Sequence, residues 1–99
     1  MKHKLRWDNK AQEAFLDGEY LNPKKSQAIY NHSPDGFNVG YNGSGPSQLA
    51  LAVCLKLMPK VNAVYQYQAF KREIIAGMPQ NQDSEVEFEM EEDTHGKNV

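Results

Sequence analysis

The chain has one cysteine, Cys54, so no internal disulfide can form, and a reducing, cytoplasmic setting is expected. No apolar run approaches the roughly 20 residues that cross a bilayer, so no membrane-spanning helix is predicted. The opening residues, Met1 to Trp7, are basic with no apolar stretch behind them, and no secretory signal is expected. Histidine is sparse. His3, His32 and His95 stand far apart, without cysteines or carboxylates at ligand spacing, so neither a metal site nor a cofactor is expected. Internal repeats and linkers rich in Pro, Gly or Ser are also missing, which argues for one domain within 99 residues.

What is present has globular composition. At 39% hydrophobic and 24% charged, the chain is too apolar for a disordered polymer and large enough for one modest core. Charge is uneven. Residues 1–82 carry ten Lys or Arg against six Asp or Glu, whereas residues 83–99 carry seven acids against Lys97. The expected organisation is a domain over residues 1–90 and an acidic flexible tail over 91–99.

Leu5 and Trp7 alternate with Lys4, Arg6 and Asp8, the period of a two-sided strand. Asp17-Gly18 suits the two positive-φ positions of a tight hairpin, which sets Phe15 opposite Tyr20. A helix over Lys10 to Leu16 competes with that reading. Ser33-Pro34-Asp35-Gly36 has the chemistry of a turn, with Ala28 to His32 and Phe37 to Tyr41 as its expected strands. Pro46 to Met58 is apolar nearly all round and predicts a buried helix stopped by Pro59. Lys60 to Gly77 predicts an amphipathic helix with Val64, Tyr67, Phe70, Ile74 and Met78 inward and a left-handed cap at Gly77. In Glu85 to Met90, Val86, Phe88 and Met90 alternate with three glutamates, as in a half-buried strand. The expected class is α+β, a small antiparallel sheet with two helices packed on one face. Its core is expected to join Leu49, Leu51, Ala52, Leu55, Val64, Tyr67, Phe70 and Ile74 to Phe15, Tyr20 and Phe37.

Gly40-Tyr41-Asn42-Gly43-Ser44-Gly45-Pro46-Ser47-Gln48 concentrates three glycines ahead of the buried helix. Against the phosphate-binding loop G-x-x-x-x-G-K-[ST] it keeps Gly40, Gly45 and Ser47, but Pro46 replaces the lysine that reaches the terminal phosphates. Triphosphatase chemistry is therefore not expected. What remains is a loop in which Ser44 is expected to cap the helix, Pro46 to begin it, and Gly43 or Gly45 to need positive φ. Free N–H groups there, with Tyr41 beside them, make Tyr41, Gly43, Ser44 and Gly45 the candidate anion-binding residues.

The stretch from Asn31-His32-Ser33-Pro34 through Gly43-Ser44-Gly45-Pro46 to Leu49-Ala50-Leu51-Ala52 resembles the signature of a family of small uncharacterised proteins. That family is found in bacteria, archaea, phages and plasmids, and its pattern reads NHSPxGFxxGYxGSGPxQLALA. Tyr67-Gln68-Ala69-Phe70-Lys71 and Met78-Pro79 match its later segment, while Val39 stands where the family typically has tryptophan, Asn42 where it has glycine and Ser47 where it has alanine. The resemblance implies a shared fold and a mobile-element context, and it implies no activity.

Cys54, amid Val53, Leu51 and Leu55, reads as a buried structural thiol. His32 beside Ser33 or Ser44 has the residue types of a base and nucleophile, but no motif joins them. The expected protein is thus a non-enzymatic interaction protein of phage or mobile-element type, an inhibitor of a host defence or nucleic-acid-processing complex. Its partner would be a host or phage protein complex. Partners that bind nucleic acid do so through Lys and Arg, so the acidic residues Glu85, Glu87, Glu89 and Glu91 are the expected contact set. The alternative is a nucleotide or nucleic-acid binding module built on the glycine-rich loop.

Overall fold

The computed structural model describes residues 1–90, so the 91–99 segment and Glu91 lie outside the described residues. Strands β1 (Lys2–Asp8), β2 (Glu13–Leu16), β3 (Glu19–Tyr20) and β4 (Ser84–Glu89) form one antiparallel sheet in the order β3-β2-β1-β4. Helices α1 (Pro23–Ile29), α2 (Ser44–Leu57) and α3 (Lys60–Phe70) follow the hairpin, and a π-helical turn, Lys71–Ile75, continues α3. This is the expected α+β class, with one helix more than expected.

The hairpin forms as its turn chemistry dictates. Asp17 and Gly18 have φ of 52° and 84°, and Phe15 pairs with Tyr20. The competing helix at Lys10 to Leu16 is absent, and Glu13–Leu16 is strand. The turn is also bolted to β1. Asp17 accepts from His3 Nδ1 at 2.7 Å and from the Lys4 N–H at 2.9 Å. The His3 hydrogen bond, then that of Lys4, holds the Asp17 carboxyl below its usual range.

Period-2 alternation sends Leu5, Trp7, Ala14, Leu16 and Phe88 to one face of the sheet, where they enter the same core as α2. Helix α2 is buried without a break from Gly45 to Cys54, and both α1 and α3 pack on it. Burial pushes the Cys54 thiol up to about 12, so it stays protonated and unreactive, as its setting predicts.

Three local expectations are corrected. Ala28 to His32 is not a strand: Ala28 and Ile29 end α1, and the rest is irregular. Asn22 caps that helix through its side chain on the Lys24 N–H, and Pro23 opens it, a start signal that outweighs the β-branched Ile29. Phe37 to Tyr41 is not a strand either. Phe37 and Val39 are buried in alternation because the segment lies against the core, yet no neighbouring strand pairs with it. The turn before it does close, with the Gly36 N–H on the Ser33 carbonyl at 3.2 Å.

The third correction concerns the inward face of α3. Its buried residues are Ala63, Tyr67 and Phe70, and then Ile75 rather than Ile74, which is only partly buried. The wider π-turn, with the Ala76 N–H on the Lys71 carbonyl at 2.9 Å, inserts one residue into the repeat and advances the stripe by one. Val64 lies beside the Ala63–Tyr67–Phe70 stripe of the regular helix rather than on it and is 46% exposed, and Tyr20, on the open side of the sheet, is 49% exposed. Gly77 is not left-handed; the chain leaves this helix through a Met78 N–H bond to the Ile75 carbonyl.

Candidate functional site

At Gly43 and Gly45 the glycine-rich loop needs glycine for space rather than for handedness. Gly43 has a φ of −153° and is the N-cap of α2, with no side-chain cap, while Ser44 and Gly45 are already helical. Positive φ falls on Gly40 instead, at 89°. A Cβ on Gly43 would meet the Tyr41 ring at 2.4 Å, and one on Gly45 would meet Asn38 Cβ at 2.6 Å. The Tyr41 ring thus lies across Gly43, and its hydroxyl comes within 3.2 Å of the Cβ position of Gly45. Tyr41, Gly43, Ser44 and Gly45 are brought together, with the tyrosine folded over the helix start and still 39% exposed.

Glu85, Glu87 and Glu89 lie on the open face of the sheet, as their alternation predicts. Register places them directly across from Arg6, Lys4 and Lys2 of β1. Lys4 Nζ also reaches Glu85 Oε2 diagonally at 3.9 Å. Beside this ladder, Arg6 covers the Phe15 ring at 4.2 Å. The open face alternates in charge; it is not the acidic face expected from the run of glutamates, because β1 supplies a cation opposite each of these acids.

A third cluster gathers residues that are far apart in sequence. Gln48, fully buried on α2, accepts the N–H groups of His32 and Ser33 at 2.7 and 2.9 Å. Its amide nitrogen donates to Ser26 Oγ at 2.9 Å and to the Tyr30 carbonyl at 3.1 Å. One side chain therefore pins the end of α1 and the following loop. The His32 ring, so placed, meets the Tyr67 hydroxyl through Nε2 at 2.7 Å. Tyr30 stacks on His32 with ring centroids 4.3 Å apart and planes within 4°.

Desolvation first, and the charge of Lys71 second, hold the His32 imidazole below its usual range, so it is neutral near pH 7. Its recorded ring bond goes to Tyr67 rather than to Ser33 or Ser44, so the base and nucleophile pairing is not assembled. A pH effect follows. The unfolded chain binds the proton with the ordinary histidine value of about 6.5, above the folded value, so stability should fall as pH drops through 6.5 and below. Urea unfolding on either side of that pH should show the loss, and His32→Gln should remove most of it. An unchanged slope in the variant would assign the pH dependence elsewhere.

Large apolar side chains are exposed at Tyr30 of this cluster and along the outer face of α3. Tyr30 is 60% exposed, and Val61, Val64 and Tyr65 on α3 are 76%, 46% and 89% exposed. Val61, Val64 and Tyr65 are neighbours at helical spacing, and Val64 sits one turn before Tyr67. Val64 is thus not in the core as its spacing suggests, and nothing in the sequence pattern marks Tyr30, Val61 and Tyr65 as a surface set. Among the described residues, no three His, Cys, Asp or Glu side chains converge as metal ligands, and no helix is long and apolar enough to cross a membrane.

An α+β domain with a pinned aromatic loop beside an exposed apolar helix face is thus the class that fold and site define. The chain belongs to a family of unknown function, DUF6166, whose model matches residues 5–94. No curated protein and no solved structure matches it.

Proposed function

We propose that the chain is a small non-enzymatic interaction protein that binds a partner protein through Tyr30 and the outer face of α3. The observation that carries this reading is the joint exposure of Val61, Val64, Tyr65 and Tyr30. Large apolar side chains exposed together along one helix are uncommon on a monomer unless they are used, and tyrosine is enriched among residues that dominate binding energy. Preorganisation supports it further. Gln48 and Tyr67 hold the Tyr30–His32 stack before any partner arrives, which lowers the ordering cost of association.

The resemblance of Asn31 to Ala52 to a family found in bacteria, archaea, phages and plasmids is compatible with a mobile-element context. Within that context the proposed role is inhibition of a host defence or nucleic-acid-processing complex, an activity the resemblance itself does not imply. Glu85, Glu87 and Glu89 take a secondary place in this reading, since each already faces a cation. Affinity capture from a host lysate, read by mass spectrometry, tests the proposal with Val61→Asp/Tyr65→Asp. Both side chains are largely exposed, so the variant should melt as wild type does, within about 0.5 kcal/mol of its stability. The partner held by wild type should be lost by this variant and kept when the three glutamates become lysine. Retention by the folded Val61→Asp/Tyr65→Asp variant would overturn the assignment. Co-purifying nucleic acid would favour the module built on Tyr41, Gly43, Ser44 and Gly45.

A further inference from the structure

A separate cleft of about 240 Å³ lies between β3, α1 and α2. Its apolar lining comes from Tyr20, Leu21, Ala52 and Leu55, and Lys25 and Lys56 flank it. Two neutral polar oxygens in the cleft wall are already committed: Ser26 Oγ donates to the Pro23 carbonyl at 2.9 Å and accepts from Gln48, and Asn22 Oδ1 accepts from the Lys24 N–H at 2.9 Å. An occupant therefore needs an apolar body. At about 240 Å³ the cleft has room for one ring and a short chain.

Charge specifies the other end. Lys25 has no ion-pair partner among the described residues, and Lys56 meets only Glu19, at 3.2 Å, through side chains that are 45% and 70% exposed. An exposed pair of this kind contributes little, so an incoming carboxylate can replace Glu19 at Lys56 at small cost. We propose that this cleft binds a small organic carboxylate with a single aromatic or branched aliphatic body, the body against Ala52 and Leu55 and the carboxylate between Lys25 and Lys56.

The test uses phenylacetate as the probe and phenylacetamide, its uncharged counterpart of the same shape, with the full chain followed by amide NMR. Phenylacetate should shift the Leu21, Lys25, Ala52 and Leu55 amides saturably, and phenylacetamide should bind about tenfold more weakly, a difference of about 1.4 kcal/mol. Lys25→Met/Lys56→Met, at two exposed positions, should keep the fold and abolish the preference for the acid. Equal binding of acid and amide, a preference that survives in the double variant, or no saturable shift at these residues would each overturn the proposal.

Discussion

Gln48→Leu should lower stability by about 2–5 kcal/mol, even though leucine nearly matches glutamine in volume. The loss comes from hydrogen bonds removed at a buried junction: the Ser33 N–H is left without an acceptor, and the His32 N–H and Tyr30 carbonyl keep only their mutual 3.2 Å bond. The N–H groups of His32 and Ser33 lose their shared acceptor, and the Tyr30 carbonyl loses the Gln48 donor. Gln48 is fully buried, so water cannot take its place without opening the junction between α1 and α2. At roughly 4–8 °C per kcal/mol for a domain of this size, Tm should fall by about 10 °C or more. Calorimetry measures that fall, and hydrogen exchange at the His32 and Ser33 amides reports where it arises. A Tm equal to that of wild type would show that the amide is not what holds the loop. Because the same side chain orients His32 beneath Tyr30, a folded Gln48→Leu chain should also bind its partner more weakly.

Elements with a strong local signal were legible in the sequence. Asp17-Gly18 encodes its turn in two residues, and Lys2–Asp8 and Ser84–Glu89 carry the period of a strand in their own side chains. Helix α2 is apolar on every side, so its central position follows from composition. The Asn22-Pro23 start of α1 is an equally local signal that the strand expectation for Ala28 to His32 leaves out. What stayed hidden depends on distance. No periodicity pairs His32 with Tyr67, 35 positions away, or reveals that Gln48 will serve two loop amides. The charge ladder is of the same kind, since Lys2 meets Glu89 only once the first and last strands pair. The phase of α3 was lost for a different reason. A 3.6-residue period carried through Lys71–Ile75 selects Ile74, and the π-turn selects Ile75.

Gly40→Ala should be the most damaging of the glycine substitutions, at about 3 kcal/mol, and Gly36→Ala separates its two causes. Both glycines have positive φ, 89° and 110°, so alanine strains the backbone at either position. Around Gly36 a new Cβ meets nothing within 4 Å, and the cost should stay near 1–2 kcal/mol. At Gly40 the same atom would lie 2.8 Å from the Met78 carbonyl oxygen and 2.4 Å from Gln80 Cγ. The carbonyl belongs to the backbone and cannot rotate away, so the two segments must separate. That movement also stretches the Gly40 N–H bond to the Ile75 carbonyl, now 3.0 Å, which ties the Phe37–Tyr41 segment to the end of the π-turn. Val39, 1% exposed and one residue before, would be drawn out of the core with it. Urea unfolding of the two variants measures the difference. Equal losses would mean that handedness alone requires glycine at position 40, whereas a larger loss at Gly40 assigns the excess to the close approach.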